Sequence, residues 1–506
     1  MRPRLPLPAA ALAAVLAVPA CAQIFGIEEL PEGTGGHHDA GTGSSVTGGA
    51  MMADASDAAD AAETWTPGMC DCPATNDWTK AFAASGDVTV AGVAIDAMGR
   101  VIVAGSVAGT LDVAGKMLPG GADHDVFVLV LDTCGEPIWA RRFGGPGEQS
   151  ALALALDPGP GSSPPDAIVI SGKFEVGLAF GGSAAPLSAP NQRAFVARLD
   201  PATGDGIASL GVGSDPSQSY EGTAVAVAPD GTTFWAGTED SGAHLFLRRL
   251  DPALSVKSQI TPACDHCDPR LALVPGAAVV AGSLSGSVDF VPGGPGPLDS
   301  NGSTDLYVAV LAPMAASFVE DKPKVFGDGK AQGALGVAAD SATGEIFVAG
   351  SFAGTLNMGG GGKTKTSSGA LDAFVAKFDP SLAPQWLATF GGGGLTADQR
   401  AVAVAKGQHL AVVGDFFEAL DLGADAGSHP SAGDADAFLL VLDPASGAVQ
   451  SVATFGGPGA DHAAAVALDG STHAVVAGTL GGPADFGCST LGGPGPSIFV
   501  ARRTIP

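Results

Sequence analysis

Two of the seven cysteines stand three residues apart, in the segment Cys264-Asp-His-Cys267. A pair at this spacing can form a short disulfide loop or half of a metal site. Zinc requires a second ligand pair at a fitting distance, and the chain has none. We therefore interpret Cys264 and Cys267 as a local disulfide. Setting aside Cys21, for the reason given below, leaves six cysteines, an even number as expected in an oxidising compartment. Sequence alone does not determine how Cys70, Cys72, Cys134 and Cys488 pair.

The other chemistry-bearing residues do not form a catalytic pattern. Asp123, Asp125, Asp434 and Asp436 cluster at strand starts, but calcium requires about six to eight oxygen ligands from a dedicated loop. We interpret these aspartates as strand-start caps. The chain contains no Gly-x-Ser-x-Gly or His-Glu-x-x-His motif. The sequence thus predicts no catalytic, metal-binding or cofactor-binding residue.

The balance of charge restricts the partners. The chain has 52 Asp and Glu against 24 Lys and Arg, a formal net charge of −28. Nucleic acids and anionic membrane surfaces bind through clustered Lys and Arg. Both classes of partner are therefore disfavoured.

The N-terminus has the pattern of a signal peptide. Arg2 and Arg4 precede an apolar stretch from Leu5 to Ala20, which is too short to cross a bilayer. We predict that residues 1–20 are removed. The end of this stretch, Val18-Pro-Ala-Cys21, resembles the bacterial lipobox, which implies a diacylglycerol anchor on Cys21. The absence of Asp at Ala22 resembles the class sorted to the outer membrane, facing the periplasm or the cell surface.

We predict that residues 21–67 form an acidic, disordered linker, because they are rich in Gly, Ala and Asp. No Lys or Arg occurs between Arg4 and Lys80. A stretch of this composition buries too little apolar surface to offset the entropy lost on ordering.

The rest of the chain is built from a repeated sequence pattern, and the repeated strands would position any functional site. Seven apolar runs end in a small residue followed by glycine, at spacings of 67, 65, 45, 68, 64 and 64 residues. The glycines are Gly105, Gly172, Gly237, Gly282, Gly350, Gly414 and Gly478. A sustained period of this size is typical of repeat architectures.

Each repeat contains four predicted strands. In the unit Ala331–Gly392 they are Ala334–Asp340, Glu345–Gly350, Asp372–Asp379 and Gln385–Phe390. This indicates an all-β, seven-bladed β-propeller over residues 68–506, preceded by the disordered tether. An aromatic residue recurs in each third strand, and we expect it to pack between blades.

The two ends of the chain complement each other. The last repeat stops after its third strand, whereas the folded part begins with a lone fourth-strand pattern at Asp77–Gly86. We predict that this strand completes the seventh blade and closes the ring. Glycines that follow the fourth-strand Phe, as at Gly391, are expected to adopt positive φ in the crossings between blades.

The repeat resembles the bacterial SBBP-type β-propeller repeat of cell-surface and envelope lipoproteins. The matching motif is Phe-Gly-Gly, the alternating strand, Ala-Gly-Ser-Phe-x-Gly-Thr and Asp-Ala-Phe-Val, most completely in the fifth repeat. The resemblance implies a propeller in an extracytoplasmic location and supplies no catalytic residue.

Function is expected on the face that carries the crossings between blades and the loops from second to third strands. The candidate binding face comprises Thr110, Asp112, Phe290, Thr355, Asp485 and Phe486. The third repeat lacks the excursion between these two strands, and we expect a partner to enter at that notch. The sequence favours a non-enzymatic scaffold that binds a protein or glycan of the envelope. The alternatives are a hydrolase or lyase acting on an envelope or extracellular glycan, and a purely structural envelope protein.

Overall fold

A computed structural model describes residues 63–64, 77–159, 166–213, 215, 217–290, 296–314, 317–392, 398–423, 426–470, 472–486 and 490–506. The predicted signal peptide, the lipidation site Cys21 and most of the predicted linker lie outside these residues. In the described part, the protein is an all-β, seven-bladed propeller of four-stranded antiparallel blades.

In blades one to six the four strands pair in chain order, and in blade seven three consecutive strands pair in chain order with a fourth from the start of the chain. The blades consist, in order, of Val88–Ile95, Val101–Ala108, His124–Leu131 and Pro137–Phe143; Gln149–Asp157, Ala167–Leu178, Leu187–Leu199 and Gly206–Val212; Tyr220–Val227, Thr233–Glu239, His244–Leu250 and Val256–Ile260; Asp268–Val274, Ala277–Val288, Leu298–Pro313 and Phe318–Phe326; Gln332–Ala339, Ile346–Phe352, Asp372–Phe378 and Pro384–Phe390; Gln399–Lys406, Leu410–Asp421, Ser428–Leu442 and Val449–Phe455; and Asp461–Leu468, His473–Leu480, Ser497–Thr504 and Trp78–Ala83.

The first strands form the inner wall of the ring. Each first strand contacts the first strands of the two neighbouring blades, and that of the seventh blade contacts that of the first. Apolar clusters fill all seven spaces between neighbouring blades. Burial between flat blades is therefore the main source of the apolar free energy of folding.

The predicted closure is confirmed. Trp78–Ala83 pairs antiparallel with Ser497–Thr504, and Ala81 lies opposite Phe499. The Trp78 indole also donates a hydrogen bond to the carbonyl of Thr133 in blade one, at 2.9 Å. The strand Trp78–Ala83 thus joins the last blade to the first.

A short strand adds to the outer edge of blade one. Glu63 and Thr64 pair with Ala140 and Trp139 of its fourth strand, which makes this sheet five-stranded. These two residues belong to the linker predicted for residues 21–67, and a two-residue edge pairing leaves almost no signal in a sequence.

The repeated aromatic residues are buried between blades, as expected. The explanation predicted for the glycines after the fourth strands is wrong. Gly391 and Gly456 do not have positive φ. A Cβ at either position would overlap the carboxylate of the third-strand Asp372 or Asp436. These glycines are needed for close approach of a side chain rather than for a left-handed backbone.

Candidate functional site

The connections between second and third strands differ from blade to blade. Blades one, five and seven carry separate small hairpins, formed by Leu111–Val113 with Lys116–Leu118, Thr355–Asn357 with Thr364–Thr366, and Ala484–Asp485 with Thr490–Leu491. In blades two, four and six the second and third strands themselves extend into long hairpins. Blade three has only a 3-10 turn, Asp240–Gly242, between Glu239 and His244. We call this short connection the blade-three notch.

Four residues of the expected binding face lie at the surface of the small hairpins. Asp112 accepts a hydrogen bond from the Gly115 amide at 2.7 Å and so fixes a tight turn. The backbone amides of Thr110 and Thr355 donate to Ser85 Oγ and to Asp328, respectively. Asp485 is exposed. The Asp112 contact stabilises a turn, the Thr110 and Thr355 contacts tie their hairpins to the preceding crossing, and the four residues are spread over blades one, five and seven.

The two aromatic members of the expected face are core residues. Phe290 is 1% exposed and packs against Tyr307, with ring centroids 5.7 Å apart. Phe486 is 5% exposed and stacks on Phe455 at 5.3 Å. Both were expected at the surface because they follow a loop, but the hairpin folds back and places each ring between blades. Neither ring is available to a ligand.

One position shows more clearly where the blades diverge. It is the third-strand residue two before the repeated aromatic, and we call it the crossing position. Four blades place an aspartate there, and the other three place an arginine, a histidine and a serine. The residues, from blade one to blade seven, are Asp125, Arg193, His244, Asp305, Asp372, Asp436 and Ser497.

The aspartates at the crossing position bind the chain that leads into their own strand. Asp372 accepts hydrogen bonds from the amide of Ser368 at 2.9 Å, and Asp436 from that of Ala432 at 2.7 Å. Asp305 accepts one from the Asn301 amide. Burial raises the pKa of Asp305 and Asp436. In these blades the carboxylate is an internal part of the fold, as a strand-start cap.

Arg193 occupies the same position in blade two with the opposite charge. It is 4% exposed, and its guanidinium lies 5.2 Å from the ring centre of Tyr220, at the start of blade three. Its Nη1 donates to the carbonyls of Gln192 and Gln218, both at 3.0 Å. Gly213 packs so closely on this side chain that a Cβ there would overlap Arg193 Cδ. The crossing from blade two to blade three is therefore built around a buried cation.

A cleft of about 510 Å³ opens beside this arginine. Arg193 and the backbone of Gly211–Gly213 form one side, and the segment 186–190 of the long blade-two hairpin forms the other. The cleft borders the blade-three notch through Tyr220, which contacts both Arg193 and Gly213.

More charged side chains surround the notch. Lys173 of blade two pairs with Glu221 of blade three at 2.9 Å, and Gln192 donates to the same carboxylate at 3.1 Å. Glu239 lies 3.9 Å from Arg248, and burial raises the pKa of Glu239. The loss of one hairpin in blade three thus leaves a group of charged side chains next to the cleft.

The Cys264–Cys267 segment forms the crossing on the other side of the notch. Both residues are buried free thiols in the structure, and a hydrogen bond between them lowers the pKa of Cys264. The expected disulfide between them stays a prediction. Cys134 is disulfide-bonded. The predictions for Cys70, Cys72 and Cys488 lie outside the described residues.

Ionisable side chains near the channel mouth are held in pairs. His462 Nδ1 lies 2.5 Å from Asp415 Oδ2 of the preceding blade, and Arg270 forms a bidentate pair with Asp268. Among the described residues, no group of three or more His, Cys, Asp or Glu is placed to bind a metal ion. None of the helices in that same part of the chain is long and apolar enough to span a membrane.

Arg193 was missed in the sequence because we aligned repeats on their aromatic and glycine residues. The signal was present: aligning the residue two before each third-strand aromatic separates Asp-bearing blades from Arg193 and His244. Only the structure shows that this position is buried at a crossing.

Comparison with known proteins does not assign the chain to a family. No family model matches the chain, and no curated protein matches it.

Several solved structures are similar at low identity. A protein of unknown function from Dyadobacter fermentans is 10% identical, with a TM-score of 0.39, over 85% of this chain and 98% of that one. A quinohemoprotein alcohol dehydrogenase from Comamonas testosteroni is 12% identical, with a TM-score of 0.39, over 83% and 76% of the two chains. A Synechocystis apocarotenoid oxygenase is 12% identical, with a TM-score of 0.36, over 85% and 93%. The assignment of the fold rests on the sheet topology of the chain itself.

Proposed function

We propose that the protein is a non-enzymatic binding scaffold of the bacterial envelope, lipid-anchored through Cys21 at the outer membrane. Its partner is a protein or glycan that docks at the blade-three notch. The observation that carries this proposal is the departure from the repeat at blade three, which lies next to the blade-two cleft and to a group of paired charged residues on an otherwise regular ring. Loops on a rigid scaffold are a common location for binding sites.

The charged pairs at the channel mouth have a role within the fold. His462 of blade seven pairs with Asp415 of blade six and so joins two neighbouring blades. Arg270 and Asp268 pair within one strand.

A capture experiment tests the proposal. Residues 23–506 are immobilised and exposed to envelope extract, and the same protein is applied to a glycan array. In one variant, the small hairpin of blade five (353–371) replaces residues 240–243 and fills the notch. In the control, a Gly/Ser segment of equal length is inserted at Ala342, in a turn at the opposite end of blade five.

We expect the wild type and the control to capture the same partner, and the notch-filled variant to lose it. Capture that survives filling of the notch would overturn the assignment of the site. Repeated absence of any partner would favour a purely structural protein.

A further inference from the structure

We propose that the cleft beside blade two binds an organic carboxylate with an apolar body, and that Arg193 binds the carboxylate group. The inference rests on the proposed function and names the chemistry that the site recognises. It follows from what the other blades place at the crossing position.

The ligand would replace a group that other blades supply themselves. At the crossing position, blades one, four, five and six each contribute a carboxylate, and three of these carboxylates accept hydrogen bonds from the loop before the strand. In blade two the carboxylate is absent, and a guanidinium takes its place. The site therefore has the charge that attracts a carboxylate from outside the chain.

Arg193 has hydrogen-bond donors that are available to such a ligand. Among the described residues it forms no ion pair within 4 Å, and its Nε and Nη2 have no hydrogen-bond partner. The nearby Asp215 lies beyond ion-pair distance and accepts hydrogen bonds from the amide and hydroxyl of Ser217 at 2.8 and 2.7 Å. These hydrogen bonds lower the pKa of Asp215, and the charge of Arg193 adds to the effect. A carboxylate that reached the guanidinium would form a charge-assisted pair, for which arginine has a suitable geometry.

The side chains that line the cleft indicate that the part of the ligand beyond its carboxylate is apolar. Apart from Arg193, the only polar side chain is that of Ser188. The remaining side chains are those of Phe174, Pro186, Leu187, Ala189, Pro190 and Val212. An aromatic or aliphatic body would bury apolar surface and gain free energy.

Ligand-detected NMR and calorimetry with defined probes test the inference. The probes are phenylacetate and its uncharged analogue 2-phenylethanol. A second pair distinguishes a small acid from a peptide terminus: acetyl-Ala-Ala-Phe with a free carboxylate, and the same peptide amidated. R193D installs the residue of the four Asp-bearing blades, and S188F blocks the cleft from an exposed position without altering Arg193. K257Q removes an exposed lysine that pairs with Asp251 on the outer strand of blade three.

We expect the wild type and K257Q to bind phenylacetate. Their affinity for 2-phenylethanol should be at least tenfold lower, since a charged hydrogen bond contributes about 1.5–3 kcal/mol. R193D and S188F should each lose at least tenfold in affinity for phenylacetate. If R193D does not fold, S188F alone tests the inference.

Equal binding of the acid and the alcohol, or undiminished binding by S188F, would overturn the inference. Capture of a partner at the notch without carboxylate binding would contradict this inference alone, and carboxylate binding without capture would contradict the proposed function alone.

Discussion

Gly350 of the second strand lies directly opposite Phe374 of the third strand in blade five. A Cβ on Gly350 would lie 2.9 Å from Cε1 of Phe374 and would overlap the carbonyl oxygen of Gly333 in the first strand. The aromatic ring therefore crosses the second strand over a residue that has no side chain. The same Gly–aromatic pairing recurs in all seven blades, at the glycines that define the repeat.

The pairing predicts that G350A is strongly destabilising. The added methyl group forces the first strand or the ring to move, and overpacking of this kind costs about 1–3 kcal/mol or more. G329A is the matched control, because a Cβ at Gly329 would meet no atom within 4 Å. Urea unfolding should place G350A below wild type by at least about 1 kcal/mol and leave G329A nearly unchanged. Equal stabilities would refute the steric account of these glycines.

The closing strand gives a second prediction. The Trp78 indole donates to Thr133 of blade one, and Trp139 and Trp386 make the same contact to Pro201 and Pro444 of their next blades. W78F should cost about 1 kcal/mol through the lost hydrogen bond. W78A should cost about 3–5 kcal/mol through the lost packing. Thermal melting measures both, and amide hydrogen exchange at Phe499 should accelerate more in W78A. Unchanged exchange at Phe499 would mean that the ring does not depend on this closure.

The buried carboxyl group of Asp461 should make the free energy of unfolding depend on pH. Its side chain is buried at the start of blade seven, where blades two, five and six have Gln149, Gln332 and Gln399. Burial, with a smaller effect from Asp436, raises the pKa of Asp461 to about 6, and amides of Gly481 and Gly457 oppose the rise. The folded state therefore binds this proton more tightly than the unfolded state does. The carboxylate destabilises the fold above pH 6, and this effect is relieved as the pH falls from about 6 toward 4.

D461Q should remove this dependence. The free energy of unfolding of D461Q relative to wild type should increase by about 1–3 kcal/mol between pH 4.5 and pH 8. Denaturant unfolding at the two pH values measures it, with D434N, an exposed carboxylate in blade six, as the control. A constant difference across this range would show that Asp461 titrates normally.

The buried thiols give a prediction about oxidation. The two thiols are adjacent but buried, so they react only when the crossing loop opens locally. Cys264, whose pKa is lowered by the hydrogen bond with Cys267, can then attack a disulfide oxidant such as oxidised glutathione as the thiolate. Cys267 then displaces glutathione, so two thiols become one disulfide and the oxidant is reduced to two thiols. The peptide containing Cys264 and Cys267 should lose two hydrogens in mass, and the closed loop should stabilise the protein by about 2 kcal/mol. A native protein whose two thiols both remain alkylatable after this treatment would contradict the prediction, and C264S/C267S should show no change in stability on oxidation.

Much of the fold follows from the repeat. Seven glycines, their aromatic partners and the lone strand at Trp78 were sufficient to predict the blade number and the closure, since each depends on local pattern and on pairing of free edges. Three features were not predictable in this way. The burial of Phe290 and Phe486 depends on how each loop folds back. The glycines after the fourth strands are required by carboxylates of the third strands, which lie elsewhere in the sequence. Arg193 becomes a site residue only because the long blade-two hairpin and the end of the fourth strand form a cleft around it.

Photo-crosslinking at two equivalent positions tests the central claim, that the partner docks at the blade-three notch, most directly. Asn191 and Asp434 each lie two residues before the crossing position, both exposed, in blades two and six. A benzophenone amino acid at Asn191 should form one specific adduct with the envelope partner, and the same amino acid at Asp434 should form none. An adduct of equal yield at Asp434, or at Asp434 alone, would contradict the account.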